Sequence, residues 1–195
     1  TSGVVHDGGV LYSDDQDRAW RGIQRDRTIV AMINDPVISA VLYAMEMAVR
    51  RVDWHVETAD ETNPEAERIY EFVESALEDM DGMWPGDTIS DMLTYIPWGY
   101  AVSEILYKQR VGPWEADPSK RSRHTDGLIG WRSWSLRPQT TRDGWEFADG
   151  EAIGFWQRTM NTPRVMIPLE KCIHIRFQSG SGSPEGRTPF RGAYD

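Results

Sequence analysis

The chain changes its hydrophobic period once, between Asp91 and Lys108, and that change limits the folds open to it. Up to this stretch apolar residues recur at spacings of three and four: Ile89, Met92, Leu93 and Ile96 make one stripe of a short helix. Pro97 and Gly99 are expected to end it. From Ala101 the period is two. Ala101, Ser103, Ile105 and Tyr107 share one face, and Val102, Glu104, Leu106 and Lys108 share the other, as in a half-buried strand. A helix must therefore pass into a strand at Gly99. The expected fold is α+β, with N-terminal helices packed on a mainly antiparallel, Trp-rich sheet.

Before the switch, residues 1–27 alternate Gly, Asp and Arg with little period, and an N-terminal arm over 1–30 is expected. Asp35 and Pro36 open a helix that runs to about Arg51, with Val37, Ile38, Val41, Leu42, Met45 and Val49 on one wide apolar face. The alternation from Val52 to Glu57 predicts a short strand. Thr62 then stands at capping-box distance from Glu65, ahead of helical spacing at Ile69, Phe72, Val73, Ala76, Leu77 and Met80. Gly82, Pro85 and Gly86 close that element. After the switch, strand patterns fall at 101–110, 128–137, 145–148, 152–158, 164–167 and 172–178, and an antiparallel meander is the simplest arrangement. Asp143-Gly144 and Asp149-Gly150 are tight-turn dipeptides within it.

A chain of 195 residues with 39% hydrophobic residues can bury one substantial core, so one main domain is expected over 31–178. No run approaches the roughly 18 apolar residues of a membrane span, and the first residues lack a signal-peptide pattern. A soluble, cytoplasmic chain is expected. The net charge of −10 is unevenly spread: residues 1–100 hold 7 Lys and Arg against 20 Asp and Glu, whereas 101–195 hold 14 against 11. Because nucleic-acid affinity is mostly phosphate neutralisation, this balance argues against tight DNA or RNA binding. The one basic cluster, Lys120, Arg121, Arg123 and His124, lies in a long polar connection and reads as a solvated loop tip.

The motifs that carry chemistry are missing. Glu65, Glu67, Glu71, Glu74, Glu78, Asp79 and Asp81 fall on the solvent side of a helical stripe without a histidine, which is a solvated face and not a metal site. His6, His55, His124 and His174 have no partners at metal or triad spacing, and Cys172, the single cysteine, sits in a strand pattern as a buried, inert thiol. The segment containing Gly180, Gly182 and Gly186 fails both the phosphate-loop and the dinucleotide spacing. It reads as a Gly/Ser-rich connector over 179–195, with Arg187 and Arg191 exposed. No catalytic, cofactor-binding or metal residue is assigned, and no enzymatic activity is expected. Nine tryptophans, among them Trp131, Trp134, Trp145 and Trp156, suit a core or a subunit contact. A recognition module for carbohydrate or protein, built on the same Trp-rich sheet, and a hydrolase built on the acidic residues are the competing classes.

Several stretches, in this order, resemble the portal proteins of tailed bacteriophages, in particular the Mu-like branch. They are Asn34 to Leu42, Ala48 to Glu57, Ala66 to Val73, Trp98 to Lys108, Trp134 to Pro138, Ile167 to His174 and Ser181 to Arg191. The resemblance implies the N-terminal wing portion of a subunit, with the stem and clip absent from the chain. It implies a homo-oligomeric ring, usually of twelve, at one capsid vertex, through which double-stranded DNA passes with weak, non-specific contact. Its implied partners are the major capsid protein and scaffold, the terminase, and head-completion or adaptor proteins. Its implied location is the virion, and the host cytoplasm during assembly.

Overall fold

The computed structural model describes residues 6–7, 10–11, 18–20, 22–160, 162–177 and 183–194. The elements in chain order are β1 (His6–Asp7), β2 (Val10–Leu11), α1 (Gly22–Ile33), α2 (Pro36–Arg50), α3 (Pro64–Glu78), α4 (Gly86–Leu93) and α5 (Tyr95–Trp98). They continue with β3 (Tyr100–Gln109), β4 (Ile129–Leu136), β5 (Arg142–Ala148), β6 (Glu151–Gln157), β7 (Val165–Pro168) and β8 (Cys172–Arg176). The fold is α+β. Two compact units share the chain: Thr1–Met47 with Asp91–Glu104 and Leu136–Asp195, and Ala48–Ser90 with Ile105–Ser135. The divide falls inside α2, α4, β3 and β4.

The six strands expected after the switch all form, but not as one meander. They make two three-stranded sheets, ordered β4-β3-β8 and β5-β6-β7. Only the second is a meander of consecutive strands. In it Phe155 lies opposite both Trp145 and Ile167, so one row of large side chains crosses the sheet. With Tyr100 and Val102 of β3 that row is the main core of the first unit. β8 returns to pair antiparallel with β3, Val102 facing His174. Tyr100, Ala101, Val102 and Ser103 are consequently all buried. The half-buried alternation expected for β3 appears only at its end, where Tyr107 is exposed, Lys108 buried and Gln109 exposed, because the first four residues are covered on both faces.

A second core in the same unit gathers Trp20, Ile29, Trp98 and Phe190, with Ile38 and Leu42 of α2 against it. Here the expected irregular lead-in is corrected: α1 spans Gly22–Ile33 and buries Ile29 completely. The reason is a hydrophobic anchor, Ile29, that the surrounding charged residues hide from a periodicity search. α2 begins where expected, since the Asp35 carboxylate accepts the amides of Val37 at 2.9 Å and Ile38 at 3.1 Å. No residue of α2 is fully buried, and Val37 is 73% exposed. Its apolar surface is thus wider than the part that Ile38 and Leu42 use. No single helix among the described residues is long and apolar enough to cross a membrane.

The switch itself is as expected at Gly99 and different at Pro97. Gly99 caps α5 in the left-handed region, at φ +84°, and β3 starts at the next residue. Pro97 sits inside the single turn of α5, where its missing amide would have had no intrahelical acceptor. The segment read as a slack connector is corrected as well, for its described part. Pro184 and Thr188 are buried, the Arg187 amide donates to the Phe177 carbonyl at 2.7 Å, and the Thr188 hydroxyl donates to the Ile96 carbonyl at 3.2 Å. Residues 178–182 lie outside the described residues.

In the second unit α3 packs Ala76, Leu77 and nearby Met80 inward. Its cap is Asn63, whose side chain accepts the Glu65 amide at 3.0 Å; the Thr62 hydroxyl donates instead to Asp60 at 2.7 Å. Asn precedes Pro64, a helix's first residue, so the cap moves one position from the expected Thr62. The strand expected over Val52–Glu57 does not form, because alternation needs a neighbouring strand to pair with and no pairing is made there. Trp134 meets Trp84 and Trp131 edge to face, with ring centres 5.5 and 5.3 Å apart.

Candidate functional site

Two buried ionic clusters, one in each unit, organise the polar chemistry of the chain. The first is centred on Glu185, in the turn between Pro184 and Gly186. Arg25, on the inward face of α1, pairs with one carboxylate oxygen and also donates to the Trp98 carbonyl at 2.6 Å. Arg142, at the start of β5, reaches the other oxygen at 3.1 Å, and Trp145 Nε1 donates to that same oxygen at 2.9 Å. Burial alone would raise the Glu185 pKa, but Arg25, Arg142 and the indole donor outweigh it and hold the carboxyl below its usual range. Arg142 also donates to the Tyr100 hydroxyl at 3.0 Å. Burial pushes that phenol up to about 12.

The neighbouring residues are fixed by close backbone approach. A Cβ on Gly186 would stand 2.3 Å from the Gly99 carbonyl oxygen and 2.6 Å from that of Phe177. His174 stacks on Trp145, centres 5.6 Å apart, and its Nε2 meets the Pro184 carbonyl at 2.7 Å. As that contact needs an N–H, Nε2 is the donor. Burial lowers the His174 pKa to about 4, so the ring is neutral at pH 7. At that pH Glu185 is ionised, while Tyr100 and His174 are both neutral. The arrangement is a clamp that ties α1, β3, β5 and the 183–188 segment together.

The second cluster is centred on Asp79, just past α3. Its carboxylate accepts the Ser122 hydroxyl at 2.7 Å and the Arg123 amide at 2.8 Å, while Lys108 lies 3.4 Å away and also donates to the Asp79 carbonyl. Burial alone would raise the Asp79 pKa, yet these donors keep it below the usual range. Arg110 adds a pair with Asp126 at 2.9 Å, a bond to the Ser75 hydroxyl at 2.9 Å, and a position over the Phe72 ring. This cluster fastens the connection between β3 and β4 to the end of α3.

The residues weighed from sequence separate accordingly. Glu65, Glu67, Glu71, Glu74, Glu78 and Asp81 are exposed as expected, whereas Asp79 is 5% exposed and belongs to the clamp. Asp79 leaves the acidic face because the helix has ended there and the chain turns inward. Lys120, Arg121 and Arg123 are exposed on their loop, and His124 is half-buried. The Trp145 ring is buried, while Trp131, Trp134 and Trp156 are half-buried in contacts with neighbours. Cys172 is half-buried, and burial raises its thiol to about 11. His55 is exposed and bonded to Glu57 at 2.8 Å. The side chain of His6 lies outside the described residues. Among the described residues no group of three His, Cys, Asp or Glu could hold a metal ion.

Arg25, Arg142 and Glu185 were not singled out in sequence, since an ion pair across 160 residues leaves no local pattern. The one available signal was the stretch from Ser181 to Arg191, which contains Glu185 and belongs to the order of segments that resembles portal proteins. The comparison with protein families decides the matter: the family model described as the portal protein of Mu bacteriophage matches residues 28–194. The chain belongs to that family. Its matched span starts in α1, three residues after Arg25, and takes in the whole of the second cluster and the other members of the first. No curated protein matches the chain.

Proposed function

We propose that the chain is a wing-like structural portion of a phage portal ring at the capsid vertex, the conduit through which the genome is packaged and later ejected. The family match over residues 28–194 carries this reading. The ring has twelve subunits in this proposal, and its outward surface serves as the platform for the terminase and then for head-completion proteins. Its contacts with the capsid protein and scaffold seat it in the virion. A net charge of −10 per subunit suits a passage along which duplex DNA must slide without adhering. Two clamps that fix loops and helix ends suit a part that carries mechanical load, and the role needs no catalysis. Negative-stain imaging of the purified chain tests the proposal. Closed rings with a central opening are expected, and a chain that stays monomeric at tens of micromolar by sedimentation would sink it.

A further inference from the structure

The second unit presents an exposed aromatic on a loop that is built, not slack. Between β3 and β4 the chain runs from Arg110 to Gly127, with Trp114 near its tip 94% exposed. The loop is braced internally: the Ser122 amide donates to the Gly112 carbonyl at 3.2 Å, Arg121 Nε donates to the Glu115 carbonyl at 2.9 Å, and Asp117 accepts the Ser119 amide at 3.0 Å. Asp79 pins its far side through Ser122 and Arg123. A large apolar ring held in water on a rigid support has its ordering entropy spent at folding, which is the condition for a binding anchor. Lys120, Arg121 and Arg123 are exposed on the same loop.

The same unit carries the complementary surface. Glu67, Glu71, Glu74 and Glu78 recur at spacings of four, three and four along α3, all exposed and none of them in an ion pair among the described residues. Carboxylates at these spacings repel one another, so the stripe is destabilising to its own helix until cations meet it. Half-buried Tyr70 lies among them, its hydroxyl donating to Glu74 at 3.2 Å. The charges of Glu74, first, and of Glu67 and Glu71 raise its pKa. An aromatic centre with an acidic rim lies on one element, and an exposed aromatic tip lies on another, on a loop whose exposed cations Lys120, Arg121 and Arg123 are accompanied by half-buried Glu115 and Asp117, the latter 3.7 Å from Lys120.

We infer that the Trp114 loop of one subunit docks on the Tyr70 face of α3 in the next copy of this chain, with Lys120, Arg121 and Arg123 meeting Glu67, Glu71, Glu74 and Glu78. The contact joins two different surfaces, so it is head-to-tail, and repetition closes a ring. It rests on the ring proposed above and names the residues of one of its joints. Two single-cysteine variants that keep both aromatic anchors, Ala116→Cys on the Trp114 loop and Glu67→Cys beside Tyr70, each combined with Cys172→Ser, are mixed and mildly oxidised. A disulfide-linked dimer is expected from the mixture and not from either variant alone. In sedimentation, Glu71→Lys with Glu74→Lys lowers the association constant by about 30-fold, as does Trp114→Ala. Adding Lys120→Glu and Arg123→Glu to the α3 variant restores association. Rings that form without the mixed disulfide and ignore these substitutions overturn this contact alone, and leave the Trp114 loop to a different protein partner. A wild-type chain that never self-associates overturns both the contact and the ring.

Discussion

Gly186 meets the closest backbone approach of any glycine among the described residues. Its φ of +57° lies in the left-handed region, and an added methyl group would meet two backbone carbonyl oxygens that belong to Gly99 and Phe177. Backbone cannot swing aside as a flexible side chain does, so Gly186→Ala is expected to cost about 2–4 kcal/mol by combining strain and overpacking. Gly127→Ala is the control: φ is +74° there, but the space is open, and about 1 kcal/mol is expected. Denaturant unfolding of both variants measures the difference, and equal losses would refute the close-approach argument. His174 makes the second prediction at this scale. Its pKa of about 4 in the fold lies below the ordinary 6.5, so its contribution to stability is full above pH 6.5 and is lost as pH falls toward 4. Between pH 7 and pH 5 the loss is about 2 kcal/mol. Glu185, also depressed, contributes its loss only below the ordinary carboxylate range, outside this interval. Unfolding midpoints at the two pH values, compared with those of His174→Gln, check the assignment, since the variant should lack that part of the pH dependence.

At the scale of elements, the loop between β3 and β4 is held by α3 through one carboxylate. Asp79 satisfies the Ser122 hydroxyl and the Arg123 amide and faces Lys108, whose side chain is buried. Removing it leaves the ammonium with a backbone carbonyl and, of the carboxylates, only Asp81, 3.6 Å away and half-exposed. Asp79→Ala is therefore expected to cost about 3 kcal/mol, since breaking a buried pair strands the remaining charge. The amide of Arg123 should then exchange with solvent at least tenfold faster, measured by hydrogen exchange. Unchanged exchange would mean that the loop is held by its internal bonds alone. α2 illustrates a separate point about elements. Its cap and length follow from Asp35 and its spacing, yet Val41 remains 54% exposed, so apolar periodicity reported a helix without reporting what covers it.

For the whole molecule, charge is the property with the widest consequence. The surplus of acid is concentrated in the first hundred residues, and the exposed stripe of α3 is part of it. A subunit of this balance is expected to bind a duplex no more tightly than about 10⁻⁴ M at physiological salt, the weak end of non-specific binding. Fluorescence anisotropy with a labelled duplex measures this directly. Binding a hundredfold tighter would contradict the reading of the ring as a non-adhesive passage.

Local information alone specified the helix beginning at Pro36, the left-handed turn at Gly99, the six strands beyond it and the solvated carboxylates of α3, because caps, periods and turn residues act over a few positions. The ordered stretches that resemble portal proteins belong to the same class, since they are read residue by residue along the chain. Other features needed the folded chain. The return of β8 to β3 split the expected meander into two sheets, and no spacing rule chooses strand partners that are seventy residues apart in sequence. Arg25 looked like one more charge in a polar lead-in and Glu185 like part of a loose connector. Each was drawn largely out of water only because the fold brought an opposite charge within reach, and an unpaired charge could not have been placed there.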